Sequence, residues 1–365
     1  MDRRLFLKLG GAGLALTSHT IPARAGMAVR ITQSAELQGF GGAILVEQRG
    51  RVVYERQFRQ ANIPFEVPNA PQTRYRIASV TKLFTAVLVM QLVEQQRLSL
   101  TDTLADALPS YSGEGRELIT VYQLLTATSG LRDFGGDDEE AYKAPWTDAE
   151  IVERFCSGPL AFPPGSKFNY NNADYYLLGK ILEVAHREPF SRILAAQILR
   201  PLNMRDTGMA DSASIIPRLA TPYVRDRQTD ALSNEPHFHI ENYGAAGAMY
   251  SSPRDLLVFS QGLFQEKLLA PASLDKLLTP NLSNYAMGLW LFNRALDGKS
   301  ILMAERQGSI GATGARLVRL LDYDATVVLL ANIWPRNMDG LVRDIVQDLV
   351  SQETDQGSQS RGSAR

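Results

Sequence analysis

Two serine–lysine pairs stand at a spacing suited to nucleophilic chemistry, Ser79-Val80-Thr81-Lys82 and Ser273-Leu274-Asp275-Lys276. Surroundings separate them. Ser273 follows Pro271 in an amphipathic stretch that suits a solvated Lys276. Ser79 opens the run Val80 to Gln96, which lacks Gly and Pro and is apolar on nearly every side, so it reads as a centrally buried helix. There the i, i+3 spacing sets hydroxyl and amine on one face. Desolvation lowers a lysine's pKa and makes the amine a general base. A helix N-terminus favours negative charge developing on a serine. The motif alone leaves another reading open, in which Ser79 is an N-cap and Lys82 snorkels outward.

A second element is Phe168-Asn169-Tyr170-Asn171-Asn172-Ala173-Asp174, after the turn Pro163-Pro164-Gly165. A phenol beside cations can ionise or relay a proton, and an Asn amide can hold a substrate carbonyl. Tyr170 and Asn172 fit those roles, or equally those of a packed tyrosine and a capping asparagine.

These residues need elements to position them. Gly42–Glu47 and Val52–Phe58 read as an N-terminal hairpin around Arg49-Gly50-Arg51. Residues 99–240 are dominated by helix-like segments, among them 119–128, 147–156, 174–186 and 189–199. Strand-like runs return at Ala315–Leu320 and Thr326–Leu330, followed by an amphipathic helix over about 337–351. The spacing predicts an α+β fold: one antiparallel sheet built from N- and C-terminal segments, flanked by helices, with an inserted, mostly helical lobe. Sheet lobe 26–98 and 245–351 then encloses helical lobe 99–244. Residues 352–365, rich in Ser, Gln, Gly and Arg, read as a disordered tail.

Composition excludes several other functions. Of 365 residues, 45% are hydrophobic and 21% charged, with a net charge of −1, so no basic stripe is left for nucleic acid. No two glycines lie four apart, which rules out a Gly-x-Ser-x-Gly elbow. Gly298-Lys299-Ser300 mimics the end of a phosphate loop, but Asn293 stands where the first Gly belongs. His237 and His239 share a strand face without a third ligand in sight, so neither metal nor cofactor is expected. The lone Cys156 says nothing of redox compartment.

Taken together, Ser79-x-x-Lys82, Tyr170-x-Asn172 and a Gly-containing strand near the C-terminus resemble the serine β-lactamase and D,D-peptidase superfamily. The likeness is to its class C branch with the related esterases and D-amino-acid peptidases. Arg76 to Val87 resembles the nucleophile segment almost throughout. Leu124–Leu131 resembles a Leu-Leu-x-His-Thr-Ser-Gly-Leu run, with Ala127 in place of the His. Tyr176–Gly179, Pro201–Met209 and Ala246–Leu256 fit as well, in the same order.

The resemblance implies that Ser79 attacks a carbonyl after passing its proton to a Lys82/Tyr170 pair, giving an acyl-enzyme. It further implies that Asn172 orients the acyl side. The N–H groups of Ser79 and a C-terminal strand residue would form the oxyanion hole. The third motif, Lys/His-x-Gly, is matched by Arg306-Gln307-Gly308, with Ser309 as second oxyanion donor. Arg306 keeps its charge, so it can bind a substrate carboxylate or stabilise a Tyr170 phenolate, but cannot exchange protons. It can also serve only as an interlobe ion-pair partner.

Arg3-Arg4-Leu5-Phe6-Leu7-Lys8, the apolar run to Leu16 and Ala23-Arg24-Ala25 resemble a twin-arginine signal peptide over residues 1–25. The apolar run is shorter than the ~20 residues that span a bilayer. The expectation is an exported, periplasmic or secreted serine hydrolase acting on an ester, amide or D-amino-acid peptide, with no stable membrane insertion. An acyltransferase or peptide cyclase of the same fold, and a catalytically silent ligand-binding or sensor protein, are the alternatives.

Overall fold

The computed structural model describes residues 23–134, 140–237, 239–296 and 298–362. The expected leader over residues 1–25 therefore lies almost wholly outside the described residues. Helix α1 (Ala23–Leu37) leads into strands β1 (Gly41–Gln48) and β2 (Arg51–Phe58). Arg49 and Gly50 link the two strands with φ of 51° and 75°. Positive φ at both central residues gives a turn whose twist matches the right-handed twist of the strands. Helix α2 spans Thr81–Glu94, α3 Ala173–His186 and α4 Pro253–Phe264. Four strands close the chain, β3 (Trp290–Leu296), β4 (Lys299–Ile310), β5 (Thr313–Leu320) and β6 (Ala325–Ile333), before α5 (Met338–Gly362).

These six strands pair antiparallel, in the order β3-β4-β5-β6-β1-β2, so β6 lies beside β1. The α+β sheet built from both ends is as expected from the sequence. Both faces of its centre are covered, which is why β1 and β6 read as largely apolar runs. Ile44, Val46, Val327 and Leu329 point at Met27 and Ile31 of α1 and at Leu341, Ile345 and Leu349 of α5. Ala43, Leu45, Val328 and Leu330 point the other way, into the larger core cluster, where Leu256, Phe259 and Leu263 of α4 cover β1 and β6 and α2 lies beyond. The period of two along each strand sorts neighbouring residues into opposite layers. Residues on every side of α2 are buried, and α3 is among its neighbours.

Within the mostly helical segment 99–244, Tyr223–Arg225 pairs parallel with β6 at Ile333, and Gly208–Met209 joins Tyr75–Arg76 and Met249–Ser251 in a small sheet. Two expectations change. The helix expected over 119–128 is confined to Val121–Leu125, because Ala127 adopts a left-handed φ of 54° and ends it. Helix α5 runs on to Gly362, where a disordered tail was expected. No proline interrupts the stretch, so backbone bonding propagates past Val350, the last core residue. Among the described residues, no helix is long and apolar enough to cross a membrane.

Candidate active site

Ser79 does not sit at the helix cap. It lies in a short 3₁₀ turn, Ala78–Val80, that feeds α2, and the N-cap residue Val80 makes no side-chain cap. Its hydroxyl is therefore free of the capping role and faces Lys82. The turn is held at both ends: Ile77 N donates to Met249 O at 2.9 Å, and Thr81 Oγ1 donates to Ala78 O at 2.7 Å. Ala78 stands at a φ of 48°, a left-handed conformation costing about 1–3 kcal/mol for a residue with a Cβ. Strain is thus stored immediately before the candidate nucleophile.

Strand β4 presses directly on this turn. A Cβ on Gly308 would lie 2.3 Å from Ile77 O and 3.1 Å from Ser79 N. Glycine is required there by close backbone approach, since its φ is not in the left-handed range. Ser309, next along, has an exposed side chain. Strand β3 ends against β4 at the pair Trp290–Glu305, so from Arg306 onward β4 has β5 on one side only. Arg306, Gly308 and Ile310 are buried while Gln307 and Ser309 are exposed. That alternation delivers the Arg306 side chain to the site.

Lys82 does not snorkel; it is 0% exposed. All three of its ammonium hydrogens have acceptors: Asn172 Oδ1 at 2.7 Å, Ala246 O at 2.9 Å and Ser79 Oγ at 3.2 Å. Burial lowers its pKa, with Arg306 pushing the same way and Tyr170 opposing. Asn172 is occupied at both ends of its amide, because Nδ2 donates to Phe134 O at 3.3 Å. Its Oδ1 orients Lys82, and Nδ2 carries a second hydrogen for the acyl-side contact that the resemblance implied.

The loop carrying Tyr170 is fixed by neighbours on every side. Asn169 N donates to Ala127 O, Asn172 N to Asp133 Oδ1, and Asn171 Nδ2 to the buried carboxyl of Asp174, which also receives the Ser129 hydroxyl. Lys82 Nζ lies 4.9 Å and the Arg306 guanidinium 5.2 Å from the Tyr170 ring centre. Burial works against ionising the phenol. The charges of Arg306 and Lys82, helped by hydrogen bonding with Ser79, outweigh it and bring the pKa down to about 8.

Arg306 makes three hydrogen bonds. Nε donates to Ser79 O at 2.6 Å, one terminal nitrogen to Tyr285 OH at 3.3 Å and the other to Tyr170 OH. None goes to a carboxylate, so the interlobe ion-pair alternative falls. Tyr285 and Trp290 complete the surroundings, with ring centres 4.8 Å apart, and Phe168 packs on Tyr285 at 5.3 Å. Neither Tyr285, Trp290 nor the Ala246 carbonyl was singled out from the sequence. The density of aromatic residues just before β3 was the available signal. His239 is tied to Glu241 at 2.9 Å, away from this constellation.

The structure thus brings together Ser79, Lys82, Tyr170, Asn172, Arg306 and Gly308, with Ser309 adjoining. The beta-lactamase family model matches residues 25–352. The chain belongs to this family. Among curated relatives, Protein flp of Staphylococcus aureus (strain MRSA252) is 28% identical over 58% of this chain and 43% of its own length. The chain thus spans less than half of that relative. Penicillin-binding protein 4* of Bacillus subtilis (strain 168) is 26% identical over 81% of this chain and 69% of its own. Two solved structures share the family fold. A penicillin binding protein from Bacillus halodurans has a TM-score of 0.74 at 24% identity, covering 88% of this chain and 98% of its own. A D-amino acid amidase from Ochrobactrum anthropi SV3, complexed with D-phenylalanine, has a TM-score of 0.77 at 23% identity, covering 92% and 98%. The family and fold are those of serine hydrolases.

Proposed function

We propose that the protein is an exported hydrolase that cleaves an ester, amide or D-amino-acid peptide through an acyl-serine formed on Ser79. The observation that carries this reading is the convergence of Ser79, a fully buried Lys82 and the cation-flanked phenol of Tyr170. A free hydroxyl is a weak nucleophile and needs a base within hydrogen-bond reach. Two groups whose pKa values are moved toward neutrality stand there, Lys82 and Tyr170. Ser79 passes its proton to this pair as it attacks the carbonyl carbon. The N–H groups of Ser79 and Ser309 receive the developing oxyanion. Tyr170 returns the proton to the departing alcohol or amine, then draws a proton from the water that releases the acid.

The names of the structural relatives, an amidase and a penicillin binding protein, fit this acyl chemistry. Export rests on the twin arginines and small-x-small site of residues 1–25. A fluorophosphonate probe followed by mass spectrometry tests the first part. The expected adduct is on Ser79, absent in Ser79→Ala; labelling that persists in that variant refutes it. For export, the expected results are a mature N-terminus at Gly26 and retention inside the cell of an Arg3→Lys/Arg4→Lys double variant. Normal secretion of that variant refutes twin-arginine transport.

A further inference from the structure

Both cations of the site are spent on protein groups. Lys82 has no hydrogen left to donate, and Arg306 is only 1% exposed, with Nε and both terminal nitrogens each donating to a protein oxygen. A substrate carboxylate would have to displace Tyr170 and Tyr285 and enter a closed space to reach that guanidinium. Arg76 is paired with Glu235, and Lys167 is an exposed, solvent-screened charge. What borders Tyr170 is aromatic. Trp290 lies 5.6 Å away and is half-buried, and Phe168, also half-buried, reaches it through Tyr285. The Arg306 guanidinium sits 5.3 Å from the Trp290 ring.

We infer, resting on the acyl-serine reading above, that Arg306 is a positioning residue for Tyr170 and that Trp290 and Phe168 select substrates with an uncharged, aromatic or apolar leaving group. The direction follows from the chemistry. Tyr170 hands a proton to the leaving group, so Trp290, which borders the Tyr170 ring, and Phe168, one ring further through Tyr285, stand on the side of that group. Lys82 and Arg306 flank Tyr170 but donate to protein oxygens, so a carboxylate that leaves those bonds in place would be desolvated against rings, a cost that a neutral aryl group does not incur. Sequence spacing alone left Arg306 free to act as a carboxylate anchor. The geometry assigns it instead to the phenol.

The test compares the phenyl and 3-carboxyphenyl esters of hexanoic acid with the full-length protein, following kcat/KM and acylation of Ser79 by mass spectrometry. The phenyl ester is expected to be preferred at least tenfold. Trp290→Ala is expected to lower kcat/KM for the phenyl ester about tenfold more than it lowers kcat/KM for methyl hexanoate. Arg306→Gln is expected to slow both aryl esters alike and to move the rising limb of the pH–rate profile to higher pH. A merely structural role for Arg306 would leave that limb in place. Preference for the carboxyphenyl ester, or a loss in Arg306→Gln confined to it, overturns the inference while leaving Ser79 acylation intact. Failure of both esters to acylate Ser79 overturns the acyl-serine reading itself, and this inference with it.

Discussion

Gly308→Ala is the most direct test of the contact between β4 and the nucleophile turn. The added Cβ would lie 2.3 Å from Ile77 O, and real Cβ contacts essentially never fall below 3.0 Å. Strand or turn must therefore yield by roughly 0.7 Å simply to relieve overlap, and the nearest rigid neighbours are both backbone. Overpacking of this kind costs about 1–3 kcal/mol of stability. A displacement approaching 1 Å between attacking and oxyanion-binding groups costs about 100-fold in rate. Fluorophosphonate labelling should slow by about that factor. The urea midpoint should fall in proportion to the lost stability, without a change in m. Gly158→Ala is the control, since a Cβ there meets nothing within 4 Å. Should Gly308→Ala label Ser79 at the rate of the unaltered protein and unfold at the same midpoint, β4 does not bear on the turn as described.

Lys82→Met removes a buried charge but leaves Asn172 Oδ1 and Ala246 O without their donor, so acylation should drop on the order of 1,000-fold in a folded protein; circular dichroism and labelling rates check both halves. Because the Tyr170 phenol is lowered to about 8, the acylation rate should climb as pH rises through that value, and Tyr170→Phe should abolish the climb. Asp174 behaves oppositely. Burial raises its carboxyl from 3.8 to about 8, so the folded state holds a proton that the unfolded chain releases, and stability is lost as pH rises between those values. Thermal midpoints across pH 4–8 should decline less steeply in Asp174→Asn than in the unaltered protein; parallel declines would show that Asp174 is ionised in the fold.

The parts of the fold legible from sequence are those where one residue type repeats against one environment. Strands β1 and β6 and helix α2 are largely apolar because they are covered on both sides or all round. Strands β3 and β4 did not announce themselves: Asn293, Arg294, Glu305, Arg306 and Gln307 interrupt them, since β3 is an edge and β4 turns one face to the site. Ser79, Lys82, Tyr170 and Asn172 were legible as residue types at two spacings. Their partners were not. The Ala246 carbonyl carries no side-chain signal, and Tyr285 and Trp290 reach the site only because the chain folds back there before β3. The occupation of Asn172 by Lys82 and Phe134 is likewise a property of three segments meeting, invisible in any one of them.

The hydrogen bond from Arg306 to Ser79 O joins residues 227 positions apart, and β1 finds its inner neighbour only in β6. Such long-range closure makes assembly slow and leaves little for a partial chain to do. During synthesis the serine, the amine and the phenol all emerge well before the strand that completes their setting. On the acyl-serine reading, the site stays chemically silent until β4 has been made, a delay written into the order of its elements.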